Sequence, residues 1–133
     1  MTANPRSVDP DTDVGEAARI LRDENVGSLP VVRDGRVTGI VTDRDLAIRV
    51  LAEGRDPGST RVADVVSGEP VTVRADQGLD EALRLMAHHQ LRRLIVVEDS
   101  DRLVGILAQA DVALTGDEER AGEVVEEISR PTD

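Results

Sequence analysis

The chain repeats itself. Displaced by 65 positions, it lays Pro5 on Pro70, Val8 on Val73, Asp11 on Asp76, Glu16-Ala17 on Glu81-Ala82, Arg19 on Arg84, Val31-Val32 on Val96-Val97 and Asp34 on Asp99. One extra residue near Ser100 moves the offset to 66, and Gly39-Ile40, Asp45 and Ala47 then fall on Gly105-Ile106, Asp111 and Ala113. Two copies of one unit in 133 residues must be built alike. Each copy is small for independent stability, so the halves are expected to share a core.

Composition narrows the partners. A net charge of -11 opposes a nucleic-acid backbone. No stretch approaches the roughly 20 apolar residues of a membrane span, and the N-terminus carries no charged-then-apolar signal. Cysteine is absent, which excludes disulfides and thiolate chemistry. The expectation is a cytoplasmic protein. Phe, Tyr and Trp are absent too, so a ring ligand would lie between aliphatic side chains.

Met1 to Val8 reads as an extended lead-in. Asp13 and Glu16 form a candidate capping box, opening a helix with Val14, Ala17, Ala18 and Leu21 on one face. The Asp9, Asp11, Asp13 alternation fails as a calcium loop, because Val14 and Ile20 stand where glycine and glutamate are required. Leu29 to Val32 predicts a strand turned at Asp34-Gly35, and Arg36 to Val41 returns antiparallel. A helix to about Glu53 closes the unit, which reads strand, helix, strand, strand, helix.

Gly54 to Thr60 is a linker. Arg61 to Val66 is expected to be a short helix leading into the second unit. There a strand near Pro70 to Val73 precedes a helix with Leu79, Ala82, Leu83 and Met86 on one face. Strands follow at Leu94 to Val97 and Arg102 to Leu107, and a last helix starts near Gln109. Residues equivalent to Arg61 through Val65 would precede Met1, so either the first unit lacks that lead-in or the natural start lies upstream. Asp117 to Ile128 places Ala121, Val124, Val125 and Ile128 at helical spacing, an amphipathic helix expected to cover the core the missing lead-in leaves open.

The chemistry concentrates in Gly39-Ile-Val-Thr-Asp-Arg-Asp45. A strand ends there and a helix begins, so free backbone N–H groups favour an anion. Thr42 adds a hydroxyl and Asp45 a two-oxygen acceptor suited to a diol. The simpler reading is that Thr42 or Asp43 caps the helix. His88 and His89 are adjacent on a helix and point about 100° apart, which excludes an i, i+4 metal pair. No nucleophile elbow or phosphate-binding P-loop is present, and the chain is read as non-enzymatic.

In Gly39-Ile-Val-Thr-Asp-Arg-Asp45-Leu46 and Gly105-Ile-Leu-Ala-Gln-Ala-Asp111-Val112, the chain resembles paired cystathionine-β-synthase (CBS) domains, or Bateman modules. Gly27-Ser-Leu-Pro-Val-Val32 against Arg92-Arg-Leu-Ile-Val-Val97, and Val62-Ala-Asp-Val-Val66 before Pro70-Val-Thr-Val73, support the likeness. It is most similar to stand-alone two-CBS proteins of the actinobacterial hypoxic-response type. The resemblance implies an α+β fold of two β-α-β-β-α repeats related by a pseudo-two-fold axis, with a C-terminal helix added. The first repeat would span 1–54, a linker 55–61, the second repeat 62–116 and the added helix 117–130.

The resemblance further implies a cleft between the repeats that binds an adenine nucleotide or adenosyl ligand, such as AMP, ADP, ATP or S-adenosylmethionine. Carried over, Thr42 meets phosphate, Asp45 takes the ribose hydroxyls, and Asp43 lies within the same motif. Ser7, within Arg6 to Val8, approaches the base, and Ile40 lines its face. Arg92 and Arg93 resemble basic residues that meet phosphates, and their fork geometry suits that role. In the second motif Asp111 is kept while Ala108 replaces the hydroxyl, so at most one complete site is expected. A homodimer meeting through the helices after each Asp motif, and signalling to a separate protein partner, completes the expectation. The rival reading is a protein-interaction module without a nucleotide.

Overall fold

A computed structural model describes residues 2–3, 5–66 and 69–109. These form two compact units, one of residues Arg6–Pro70 and one that joins Met1–Pro5 to the chain from Val71 onward.

In the Arg6–Pro70 unit, α1 (Val14–Glu24) starts at Asp13, whose carboxylate accepts the Glu16 N–H at 2.8 Å. Only this half of the expected capping box forms, because the Glu16 carboxylate turns to Arg19 at 2.9 Å. β2 (Ser28–Arg33) and β3 (Arg36–Thr42) make an antiparallel hairpin. Asp34 and Gly35 both have positive φ, 54° and 81°, the conformation that matches a two-residue turn to the strands' right-handed twist. Val8 forms a parallel bridge with Val31 on the other side of β2. α2 (Asp43–Leu46) follows β3 directly and passes into a π-helical segment, Ala47–Leu51, closed by Ala52 N–H to Ala47 O at 2.9 Å. The expected helix to Glu53 therefore stops two residues early, its last turn widened by one residue.

The second unit holds β4 (Thr72–Arg74), α3 (Gly78–His89), β5 (Arg93–Glu98) and β6 (Arg102–Ala108), with β1 (Thr2–Ala3) paired antiparallel to β6. β4 runs parallel to β5, and β5 antiparallel to β6. β4 starts later than the expected Pro70. Leu79, expected on the core face, is 37% exposed, because it lies in the first turn, outside the row of Ala82, Leu83 and Met86 that is buried.

The repeat extends to backbone detail. Val8 bridges Val31 in parallel as Val73 pairs with Val96. The ladder shifts register between Val31 and Val32, and again between Val96 and Val97. The extra residue near Ser100 is accounted for by the turn: a two-residue turn becomes Asp99–Asp101, with Ser100 and Asp101 at positive φ.

Each unit contains a buried cluster of its own. Val8, Val14, Leu29, Val31 and Val41 form the first, and Val73, Leu83, Met86, Leu94 and Val96 the second. Val62 and Val65 belong to the first cluster, each at 0% exposure. Their segment was expected to lead into the second unit as a helix. Instead it forms a single 3-10 turn, Val62–Asp64, tied to the first unit by Val62 N–H to Thr12 O at 2.8 Å and Ala63 N–H to Pro10 O at 2.9 Å. Two valines that must leave water find the nearest uncovered apolar surface upstream. The tail helix expected over 117–130 lies outside the described residues.

Candidate functional site at the strand-to-helix motif

The motif is seated at both ends. Asp43 N–H donates to Gly27 O at 2.9 Å, which fixes the start of α2 against the start of β2. The space beside Gly27 is taken by the Asp43 carboxylate, 3.4 Å from where a Cβ would sit. In the hairpin register Ser28 opposes Thr42, Pro30 opposes Ile40 and Val31 opposes Gly39. Gly39 has no room for a side chain, since a Cβ there would stand 2.8 Å from Val66 Cγ1.

Thr42 and Asp45 form a reciprocal capping box. Thr42 N–H donates to Asp45 Oδ2 at 3.0 Å, and Asp45 N–H donates to Thr42 Oγ1 at 3.0 Å. The capping reading of these residues is therefore correct, and it leaves room for the other. A threonine hydroxyl that accepts one bond keeps its proton to donate, and a carboxylate has about four lone-pair sites, more than one amide uses. The Asp45 side chain is 12% exposed, with Arg49 Nε 3.8 Å away.

Ser7 enters from the other side of β2. Val8 N–H donates to Pro30 O at 3.0 Å and Val32 N–H to Val8 O at 2.8 Å, so Ser7 precedes a backbone held edge-on to Pro30, whose neighbour across the hairpin is Ile40. The structure thus gathers Ser7, Ile40, Thr42, Asp43 and Asp45 in one unit. Arg92 and Arg93 lie in the other unit, both exposed, with Arg93 opposite Ala108 in register. Asp111 lies outside the described residues.

His88 and His89 are exposed at the end of α3, their rings perpendicular with centroids 4.8 Å apart. Among the described residues no group of three His, Cys, Asp or Glu stands at metal-holding distance. No helix among them is long and apolar enough to cross a membrane.

Two features escaped the sequence reading. Ser28 places a second hydroxyl directly across from Thr42; the repeat offset set Gly27-Ser28 against Arg92-Arg93 without giving Ser28 a role. The other is an apolar groove of about 380 Å³ between α1 and the π segment, lined by Val14, Ala18, Leu46, Val50, Leu51 and Pro57, with Arg55 beside it. Leu51 is 80% exposed and Ile48 45% exposed. Its sign in the sequence was the run Leu46, Ile48, Val50, Leu51, which is apolar around more of the helix than one core can cover.

The model of the CBS domain matches the chain twice, over residues 1–52 and 62–115. The chain belongs to the CBS domain family. It is 43% identical over 130 residues to the CBS domain-containing protein YhcV of Bacillus subtilis, covering 97% of this chain and 91% of that protein. Among solved structures, Hypoxic Response Protein I with two coordinated zinc ions superposes with a TM-score of 0.77 at 34% identity, over 86% of this chain and 93% of that one. CBSX2 in complex with AMP superposes with a TM-score of 0.69 at 28% identity, over 98% of this chain and 95% of that one. The CBS domain pair of MJ0100 in complex with 5-methylthioadenosine and S-adenosylmethionine gives 0.66 at 25% identity, over 84% and 89%. This tandem CBS chain is accordingly a regulatory module.

Proposed function

We propose that this CBS protein is a non-enzymatic sensor of an adenine nucleotide or a related adenosyl ligand, acting in the cytoplasm through a separate protein partner. Thr42 donates its hydroxyl to a phosphate or equivalent polar group, Asp45 accepts the ribose hydroxyls, and Ser7 and Ile40 border the base. The reading is carried by the Thr42–Asp45 box, which holds a hydroxyl and a mostly buried carboxylate in fixed relation at the end of β3. Bound AMP, 5-methylthioadenosine and S-adenosylmethionine in two structural neighbours support the ligand class. The zinc of a third neighbour is not carried over, since among the described residues no group of three His, Cys, Asp or Glu stands at metal-holding distance.

The test is calorimetric unfolding with AMP, ADP, ATP and S-adenosylmethionine, because a chain without aromatic residues has no intrinsic fluorescence. A ligand at about a hundred times its Kd stabilises by about 2.7 kcal/mol, several degrees in Tm. Asp45→Asn keeps an oxygen for the Thr42 N–H while removing the charge, so it should abolish the ligand-induced shift with little loss of intrinsic stability. No shift with any of the four at millimolar concentration would reject the reading.

One observation favours a second role beside it. Leu51 exposes apolar surface at the groove and Ile48 exposes more on the same helical segment, and we propose a homodimer contact through this segment. Leu51→Glu should convert a dimer to monomer in sedimentation; a chain already monomeric at about 100 μM would remove the dimer.

A further inference from the structure

The first turns of α1 and α3 are equivalent in the repeat and differ in cover. Val14 falls on Leu79 at the offset of 65, and each lies in the first turn of its helix. Val14 is 2% exposed and Leu79 37%. The contrast runs along the whole approach to the helix. Residues 10–14 are buried or half-buried except at Asp11, whereas every one of residues 75–79 is exposed.

What covers Val14 is chain that follows the first repeat. Val14 N–H donates to Thr60 O at 2.9 Å, Val62 N–H to Thr12 O at 2.8 Å and Ala63 N–H to Pro10 O at 2.9 Å, with a bridge between Asp13 and Arg61. Val62 and Val65 enter the same buried cluster as Val14. Residues 60–65 therefore lie along residues 10–14 and close the first turn. Among the described residues no backbone bond of this kind reaches Ala75, Gln77 or Leu79.

The first unit is thus already closed, and the open place is in the second. The offset of 66 that carries Asp45 to Asp111 also carries Thr60 to Glu126 and Val62 to Ile128. The chain after the second repeat brings an apolar residue at the very interval that closes the first unit, with Val124 and Val125 shortly before it.

We propose that residues 121–131 of this same chain dock on residues 75–79, with Ile128 against Leu79 and the Leu79 N–H donating to Glu126 O, as Val14 N–H donates to Thr60 O. Apolar burial drives the contact, since Leu79 is one of three large apolar side chains exposed among the described residues. The occupant is the chain's own tail because the repeat supplies it at the required spacing. The contact does not depend on the ligand proposed above.

The chain has no cysteine, so a pair can be introduced without competitors. Leu79→Cys with Ile128→Cys should close an intrachain disulfide under mild oxidation of the dilute full chain. It should form about tenfold or more faster than in Leu51→Cys with Ile128→Cys, which offers the tail the more exposed leucine instead. Hydrogen exchange of the wild-type chain gives a second reading, because amides in the first turn have no partner within their own helix. Docking should slow the Leu79 amide by about tenfold or more relative to Ile128→Glu, Ile128→Val should keep the protection, and the Val14 amide should be unchanged in both, which shows that the fold is intact. Equal linking of the two pairs, linking only between chains, or a Leu79 amide that exchanges alike in the wild type and Ile128→Glu would overturn the proposal.

Discussion

Thr42 and Asp45 hold each other: each side chain accepts the other's backbone N–H at 3.0 Å, so the motif and the start of α2 are one structural object. Thr42→Val removes the hydroxyl and should cost about 0.5–2 kcal/mol, while Thr42→Ser should be nearly neutral. Thermal unfolding without ligand checks this. Equal losses in both variants would show that the hydroxyl does not cap.

Gly39 lies under Val66. Gly39→Ala forces a Cβ to 2.8 Å from Val66 Cγ1 and should destabilise by about 1–3 kcal/mol. Removing the obstacle should relieve it, so Gly39→Ala with Val66→Ala should lose less than the two single losses added together. Denaturant melts of the four proteins give the coupling directly.

The 3-10 turn after the linker belongs energetically to the first unit. Val62→Ala should cost about 1–3 kcal/mol. Hydrogen exchange should then quicken in α1 and β2 ahead of α3. Faster exchange first in α3 would assign Val62 to the other unit's core.

Two carboxylates contribute a small stabilisation that acid removes. Asp9 is held below its ordinary value of 3.8 by the Asp11 N–H at 2.9 Å and by Arg33 at 3.1 Å. Glu81 is held below 4.5 by Arg84. Both are lowered in the folded state, so the stability they contribute is present above the ordinary values and is lost as pH falls through the lowered ones. Acid titration by circular dichroism should show a shallower limb below about pH 4 for Asp9→Asn. The effect should be small and diminish with salt, since both groups are exposed.

Asn25 and Gln90 end α1 and α3 in the same left-handed turn, with φ and ψ of 54° and 49° in one and 55° and 49° in the other. Glutamine is a poor occupant of that region, where asparagine is tolerated. Gln90→Gly should raise stability by about 0.5–1 kcal/mol and Asn25→Gly by less. A melting comparison with a greater gain at Asn25 would contradict this.

The repeat itself, with its single extra residue, determined the architecture from the sequence alone. Elements whose residues carry local instructions were legible: the Asp34-Gly35 turn, the helix faces of Ala17 and Ala82, and the Thr42 cap. All depend on contacts within a few positions, which periodicity and turn chemistry record. Tertiary structure decided the rest. Val62 and Val65 looked like a preface to the second repeat and became core of the first, because a buried valine goes to whatever apolar surface is open and the sequence does not say where that is. The same holds for Ser28, whose place beside Thr42 arises only when the hairpin closes, and for Leu51, left exposed by a widened helical turn that no local pattern announces. The candidate site was readable as a list of residues, but which hydroxyls and cations stand side by side is set by strand register, a property of two segments and not of either alone.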